Sequence, residues 1–141
     1  MGSILLVESE PESRERLRDA LTESGHEVLI GGSTREAFVL ISEGGMDVVV
    51  IDAYDPRVGV VELARSLALL PDAPPLVLIS SSPHAPEISA RIGAAMFVTK
   101  PYELAELVAS IDRLLGEVRP VRVVEDEPTD AFSADAIRNA R

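Results

Sequence analysis

Five short apolar runs recur along the chain, Ile4-Leu5-Leu6-Val7, Val28-Leu29-Ile30, Val48-Val49-Val50-Ile51, Leu76-Val77-Leu78-Ile79 and Met96-Phe97-Val98, with helix-period segments between them. Runs this short and this rich in β-branched residues read as strands, and strand–helix alternation points to crossover units in a parallel sheet. The first, third and fourth runs are apolar throughout rather than at alternate positions, so both of their faces must be covered. The predicted fold class is α/β, a five-stranded doubly wound sheet with helices on both faces.

The intervening helices carry their own signals. Ser9-x-x-Glu12 and Ser33-x-x-Glu36 match the spacing at which a capping side chain and a third-position acid satisfy orphan backbone donors, and Gly25, Gly44 and Gly93 fit helix stops. Three-to-four spacing marks core faces at Leu17, Ala20 and Leu21, at Ala37, Leu40 and Ile41, at Leu63, Leu67 and Leu70, and on a last helix over about 102–115. Beyond Gly116 the chain turns to Pro120, the acidic run Glu125-Asp126-Glu127, Pro128 and a short helix-like stretch from Ser133. The expected organisation is one domain over 1–116 and an acidic tail, linker or docking arm, over 117–141, too short for a core of its own.

Charge and composition exclude several classes. Thirteen basic against 24 acidic residues leave a net charge of −11, which repels phosphate backbones and anionic membranes, so no nucleic-acid partner is expected. The chain has no cysteine, and His26 and His84 lie far apart, so a thiolate metal site is impossible and a histidine site is unsupported. No apolar stretch approaches a membrane span and no signal pattern opens the chain, so a cytoplasmic protein is expected.

Four polar groups each stand at the end of a strand-like run, Glu8, Asp52 and Ser80 directly after it and Lys100 after Thr99, the last being the one lysine of the chain. In an open parallel sheet the carboxyl ends of the strands open on one crevice, where these groups should meet. A carboxylate there, flanked by a cation, a hydroxyl and a second acid, suits phosphoryl transfer through an aspartyl-phosphate. Taken from Ile4 to Leu115, with the ordered series of acid, Asp52, Ser80 and Lys100-Pro101, the chain resembles the receiver domain of two-component response regulators. The resemblance implies a flavodoxin-like strand order 2-1-3-4-5, Asp52 as phospho-acceptor, Ser80 as switch hydroxyl, Phe97 as switch aromatic, Lys100 as the phosphate-pairing cation and a cis Lys100-Pro101 bond. It further implies a metal site at Glu8, Asp52 and Tyr54.

Departures from that pattern bear on function. Receivers place two adjacent acids after the first strand, whereas this chain has Glu8-Ser9. Mg²⁺ demands near-octahedral oxygens and dehydrates reluctantly, so loss of one anionic ligand predicts a weak or absent metal site. The segment Asp55-Pro56-Arg57-Val58-Gly59 is one residue shorter than the receiver pattern, and Asp55 fits either a cap for the third helix, the favoured reading, or a replacement carboxylate. Pro83 and Pro86 stiffen the loop after Ser80. The expectation is an atypical receiver, not an enzyme, that acts as a protein-interaction module with little Mg²⁺-dependent phosphorylation. The alternative is a conventional phospho-receiver served by a histidine kinase.

Plainer roles stand beside these. Ser9 fits a simple helix cap, Phe97 a core aromatic and Ser80 ordinary loop chemistry, and Glu8, Asp52 and Lys100 fit a structural ion cluster. A haloacid-dehalogenase-type phosphatase would need a general acid where Tyr54 stands, and a flavin site would need phosphate donors where Glu8, Glu10 and Glu12 stand. By analogy of fold, partners or a second copy would use the face of the fourth helix, fifth strand and fifth helix, through Leu104 or Leu115.

Overall fold

The computed structural model describes the backbone of residues 2–124 and the side chains of 2–116; expectations for residues 125–141 lie outside the described residues. The elements run β1 (Ser3–Val7), α1 (Pro11–Glu23), β2 (Glu27–Gly31), α2 (Thr34–Ser42), β3 (Val48–Asp52), α3 (Val60–Leu67), β4 (Leu76–Ser80), α4 (Ala85–Ile92), β5 (Met96–Thr99) and α5 (Leu104–Val124). All five apolar runs are strands. They pair in parallel in the order β2-β1-β3-β4-β5, the flavodoxin-like order.

The three strands read as doubly covered, β1, β3 and β4, are the central ones, and Ile4 to Val7, Val48 to Ile51 and Leu76 to Ile79 are all buried. Their alternate residues form two layers. Leu5, Val7, Val49, Ile51 and Leu78 join Ala37 and Ile41 of α2 and Val60, Leu63 and Leu67 of α3 in one core cluster, against which Phe97 packs half-buried. The edge strand β2 alternates between exposed and half-buried positions until Gly31, as a strand covered on one side must.

The chain divides into two compact units at Ala109 and Ser110. The first holds the sheet, α1 to α4 and the start of α5. In the second, Ile111 and Leu115 are buried, Leu114 is half-buried, and Arg113 donates to Ser110 Oγ at 3.0 Å. Helix α5 continues to Val124, past the stop read at Gly116, because that glycine has no positive φ of the kind that ended the segments at Gly25, Gly44 and Gly93. Leu115 was expected as an exposed contact residue and is instead 2% exposed, since it continues the four-residue stripe of Leu107 and Ile111.

Helix starts divide. At α2 the capping box forms: Ser33 Oγ accepts from Glu36 N at 3.1 Å, and Glu36 Oε1 accepts from Gly32 N at 2.7 Å. At α1 the expected cap at Ser9 does not form. Pro11 takes the first helical position, where its missing N–H costs nothing, and so moves the cap to Glu10, whose Oε1 accepts from Ser13 N at 2.7 Å. Pro86 likewise sits in the first turn of α4, so it starts a helix rather than stiffening a loop.

Candidate phosphoryl-acceptor site

The carboxyl ends of β1 and β3 bring Glu8 and Asp52 together, and the β5–α5 junction adds Lys100. Asp52 ends β3 and is 9% exposed; Lys100 Nζ reaches its Oδ1 at 2.6 Å. Burial alone would lower the Lys100 pKa, but the hydrogen bond to Asp52 and the charges of Asp52 and Glu8 outweigh it, and the net shift is upward. The ammonium is thereby fixed as a permanent cation beside the Asp52 carboxylate.

Glu8 has a different environment. It is 6% exposed, its Oε2 accepts from Glu10 N at 2.8 Å, and its buried Oε1 meets no donor. Burial first, then the contact with Asp52, pushes its pKa up to about 7, against the lowering effects of Glu10 N–H and Lys100. Two buried carboxyls facing one another with a single ammonium leave one negative charge too many, and a proton or a cation relieves it.

The crevice continues beside Asp52 as a cavity of about 370 Å³ whose lining includes Glu8, Ser9, Asp52, Tyr54 and Asp55. Ser9 is exposed and free of the capping role expected of it. Tyr54 is 92% exposed. Asp55 caps no helix: α3 starts at Gly59, with φ of 85° and no side-chain cap. Its carboxylate is instead clamped by Arg57, Oδ1 accepting from Arg57 N and Nε at 3.0 Å each and Oδ2 pairing with Nη2 at 3.0 Å. That hydrogen bonding holds the Asp55 pKa below its ordinary value.

Ser80 is 1% exposed, and its Oγ accepts from Ser82 N at 3.1 Å, so the hydroxyl folds its own loop; its carbonyl accepts from Lys100 N at 3.2 Å. The Lys100-Pro101 peptide is cis, as the resemblance implied. One neighbour was missed from sequence: Tyr102, half-buried, whose phenol is raised by burial and then by the charge of Asp52. An aromatic directly after Lys-Pro is the signal that could have found it.

A buried aspartate paired with a lysine at the carboxyl end of a five-stranded parallel sheet is an arrangement shared with one family of proteins. A family model described as the response regulator receiver domain matches residues 4–112, and the chain belongs to that family. It is similar to the response regulator MprA of Mycolicibacterium vanbaalenii, 33% identical over 119 residues that cover 83% of this chain and 52% of the relative. The chain thus spans about half the length of the curated relatives it matches.

Among solved structures it is similar to the signal receiver domain of a signal transduction histidine kinase from Syntrophus aciditrophicus, with TM-score 0.74, 28% identity, and 95% of this chain and 100% of the other covered. It is also similar to the response regulator protein TrrA from Thermotoga maritima, solved in complex with Mg²⁺ and BeF, with TM-score 0.70, 26% identity, and 81% and 99% covered. Receiver domains are generally phosphorylated on an aspartate and bind Mg²⁺ for that reaction.

Whether the residues here fit that metal turns on the orphaned Glu8 Oε1. A buried carboxylate oxygen without a donor, facing a second carboxylate, is an acceptable cation seat, so Glu8 and Asp52 would hold the ion. Among the described residues no third acidic or histidine side chain joins them.

Proposed function

We propose that this chain is an atypical receiver that works chiefly as a signalling protein-interaction module, with Mg²⁺ held weakly and phosphorylation of Asp52 slow or absent. The observation that carries this reading is the state of the acids around Asp52. Glu8 offers Asp52 a single unpartnered carboxylate oxygen, Ser9 brings no charge, Asp55, the one candidate replacement, is paired with Arg57, and among the described residues no third acid joins them.

A bound Mg²⁺ supplies positive charge to the phosphoryl oxygens as they develop negative charge. The chain's own contribution is Lys100, which holds Asp52 oriented and would pair with one phosphoryl oxygen once the carboxylate has attacked phosphorus and the donor's leaving group has departed. One lysine replaces only part of the metal's charge. The partner is a signalling protein met in the cytoplasm, the module has no catalytic turnover of its own, and residues 117–141 serve as linker or docking arm to the domain over 1–116. Incubation with Mg²⁺ and acetyl phosphate, followed by intact mass, tests the proposal; little or no adduct is expected, and near-stoichiometric addition on Asp52 overturns it.

A conventional receiver phosphorylated by a histidine kinase is the second reading, favoured by the intact Asp52–Lys100 pair. It requires that beryllofluoride with Mg²⁺ move the NMR resonances around Asp52. Unchanged spectra at saturating Mg²⁺ sink it.

A further inference from the structure

The described residues include five strongly exposed large apolar side chains: Leu29, Val39, Tyr54, Val58 and Leu69. Every one lies on β2, on α2, in the β3–α3 loop or just past α3. None lies on α4, β5 or the start of α5, where the fold analogy placed an interface. The reason is legible in α2, whose centre reads Ala37-Phe38-Val39-Leu40-Ile41. One buried face cannot accept five consecutive apolar residues; Ala37 and Ile41 enter the core, Phe38 and Leu40 are half-buried, and Val39 is left 52% exposed.

Val39 and Phe38 line a groove of about 300 Å³ between α2 and α3, with Leu63 opposite and Arg35 and Glu62 at its rims. The groove is held in shape at its top, where Gly59 approaches Thr34 so closely that a Cβ there would stand 2.7 Å from Thr34 Oγ1. Arg35 and Glu62 are both exposed, and neither makes an ion pair or hydrogen bond among the described residues. Arg35 stands in the first turn of α2, the positive end of the helix dipole, where a cation is unfavourable unless something outside the helix compensates it.

We infer that the α2–α3 face is a self-association surface whose occupant is a second copy of this chain, related by a two-fold axis running along the groove. Consecutive crossover helices of a parallel sheet run side by side in the same direction. Such an axis lays α2 of one protomer on α3 of its partner without reversing either helix. Arg35 and Glu62 both belong to the first turns of their helices, so they stand at similar heights, and each Arg35 meets the partner's Glu62, twice per dimer. Val39 and Phe38 of each copy are covered in the same step. Surface charges of opposite sign on opposite sides of one apolar groove are self-complementary under that axis. The inference does not depend on whether Asp52 is phosphorylated.

Sedimentation equilibrium of the full chain from micromolar to millimolar concentration, in about 0.15 M salt to screen the net charge, should show a monomer–dimer equilibrium. Val39→Glu should abolish the dimer. Arg35→Glu and Glu62→Arg should each weaken it at least about tenfold, because both cross-dimer pairs become repulsive. An equimolar mixture of those two variants should restore association, since every pair is again opposite in sign. A monomer at all concentrations overturns the inference. So does a dimer indifferent to Val39→Glu, or a mixture of the two charge variants that stays monomeric.

Discussion

The two ends of the sheet are built from the same strands over the same core, yet they treat buried polar groups in opposite ways. At the amino end, Gly2 N donates to His26 Nδ1 at 3.0 Å and Ser3 N to Asp47 Oδ2 at 2.8 Å, and both side chains are buried. Backbone bonds from Glu27 N to Gly2 O and from Asp47 N to Ser3 O complete the closure. At the carboxyl end, Glu8 and Asp52 face each other across a single lysine, with one oxygen lacking a donor. Satisfied buried groups hold a fold together; an unsatisfied cluster persists only because the rest of the molecule over-determines it. The amino end closes its buried polar groups with hydrogen bonds, and the carboxyl end leaves one buried carboxylate oxygen without a donor.

Removing Lys100 should break the contrast hardest. Lys100→Met strands the Asp52 carboxylate, whose side chain is 4% exposed, without its cation, and should lower stability at neutral pH by about 3 kcal/mol in urea unfolding. A loss no larger than that of an ordinary surface change would mean the crevice is more solvated than its geometry implies.

At the opposite end, Asp47→Ala leaves the Ser3 N–H with no acceptor and should cost about 2 kcal/mol. Loss of early amide protection at Ser3 and Glu27 in hydrogen exchange would localise the damage. An unchanged unfolding midpoint would show that water replaces the carboxylate at no cost.

The pH dependence of the carboxyl end comes next. The Glu8 carboxyl is raised from an ordinary 4.5 to about 7 by burial and then by Asp52, so between those values the folded chain keeps a proton that the unfolded chain has released. Its contribution to stability is therefore full below about pH 4.5 and is lost as pH rises to about 7. The loss should be about 1–2 kcal/mol, less than the full shift implies because the crevice opens to solvent. The difference between the wild-type chain and Glu8→Gln, followed by urea unfolding across that window, should carry this slope; parallel profiles would refute the raised carboxyl.

The smallest effect is a backbone one. Gly59→Ala, at φ of 85° and against Thr34, should cost about 1 kcal/mol independently of pH. A pH-dependent loss would tie the β3–α3 turn to the charge cluster.

Much of this was legible from local pattern. The apolar runs are the strands, and Asp52, Ser80 and Lys100 stand where their places after those runs put them, because period and chain direction are decided over a few residues. The errors also have local causes. The cap read at Ser9 was displaced by Pro11, and Asp55 found in Arg57, two residues on, a stronger partner than a helix terminus. His26, to which no role was given, proved to be a buried acceptor because Gly2, 24 residues away, comes to lie beside it.

By itself the sequence determined the alternation of strands and helices, the covering of both faces of the central strands and the placing of Glu8, Asp52, Ser80 and Lys100 at strand ends. These follow from hydrophobic period and steric preference, which act between near neighbours. Only the tertiary structure decided that burial beside Asp52 would raise the Glu8 pKa, that the Asp55 carboxylate would pair with Arg57 and that the strongly exposed apolar side chains would fall on β2, on α2, in the β3–α3 loop and just past α3. Charge state and exposure depend on distances between residues remote in the chain, and no local pattern encodes those distances.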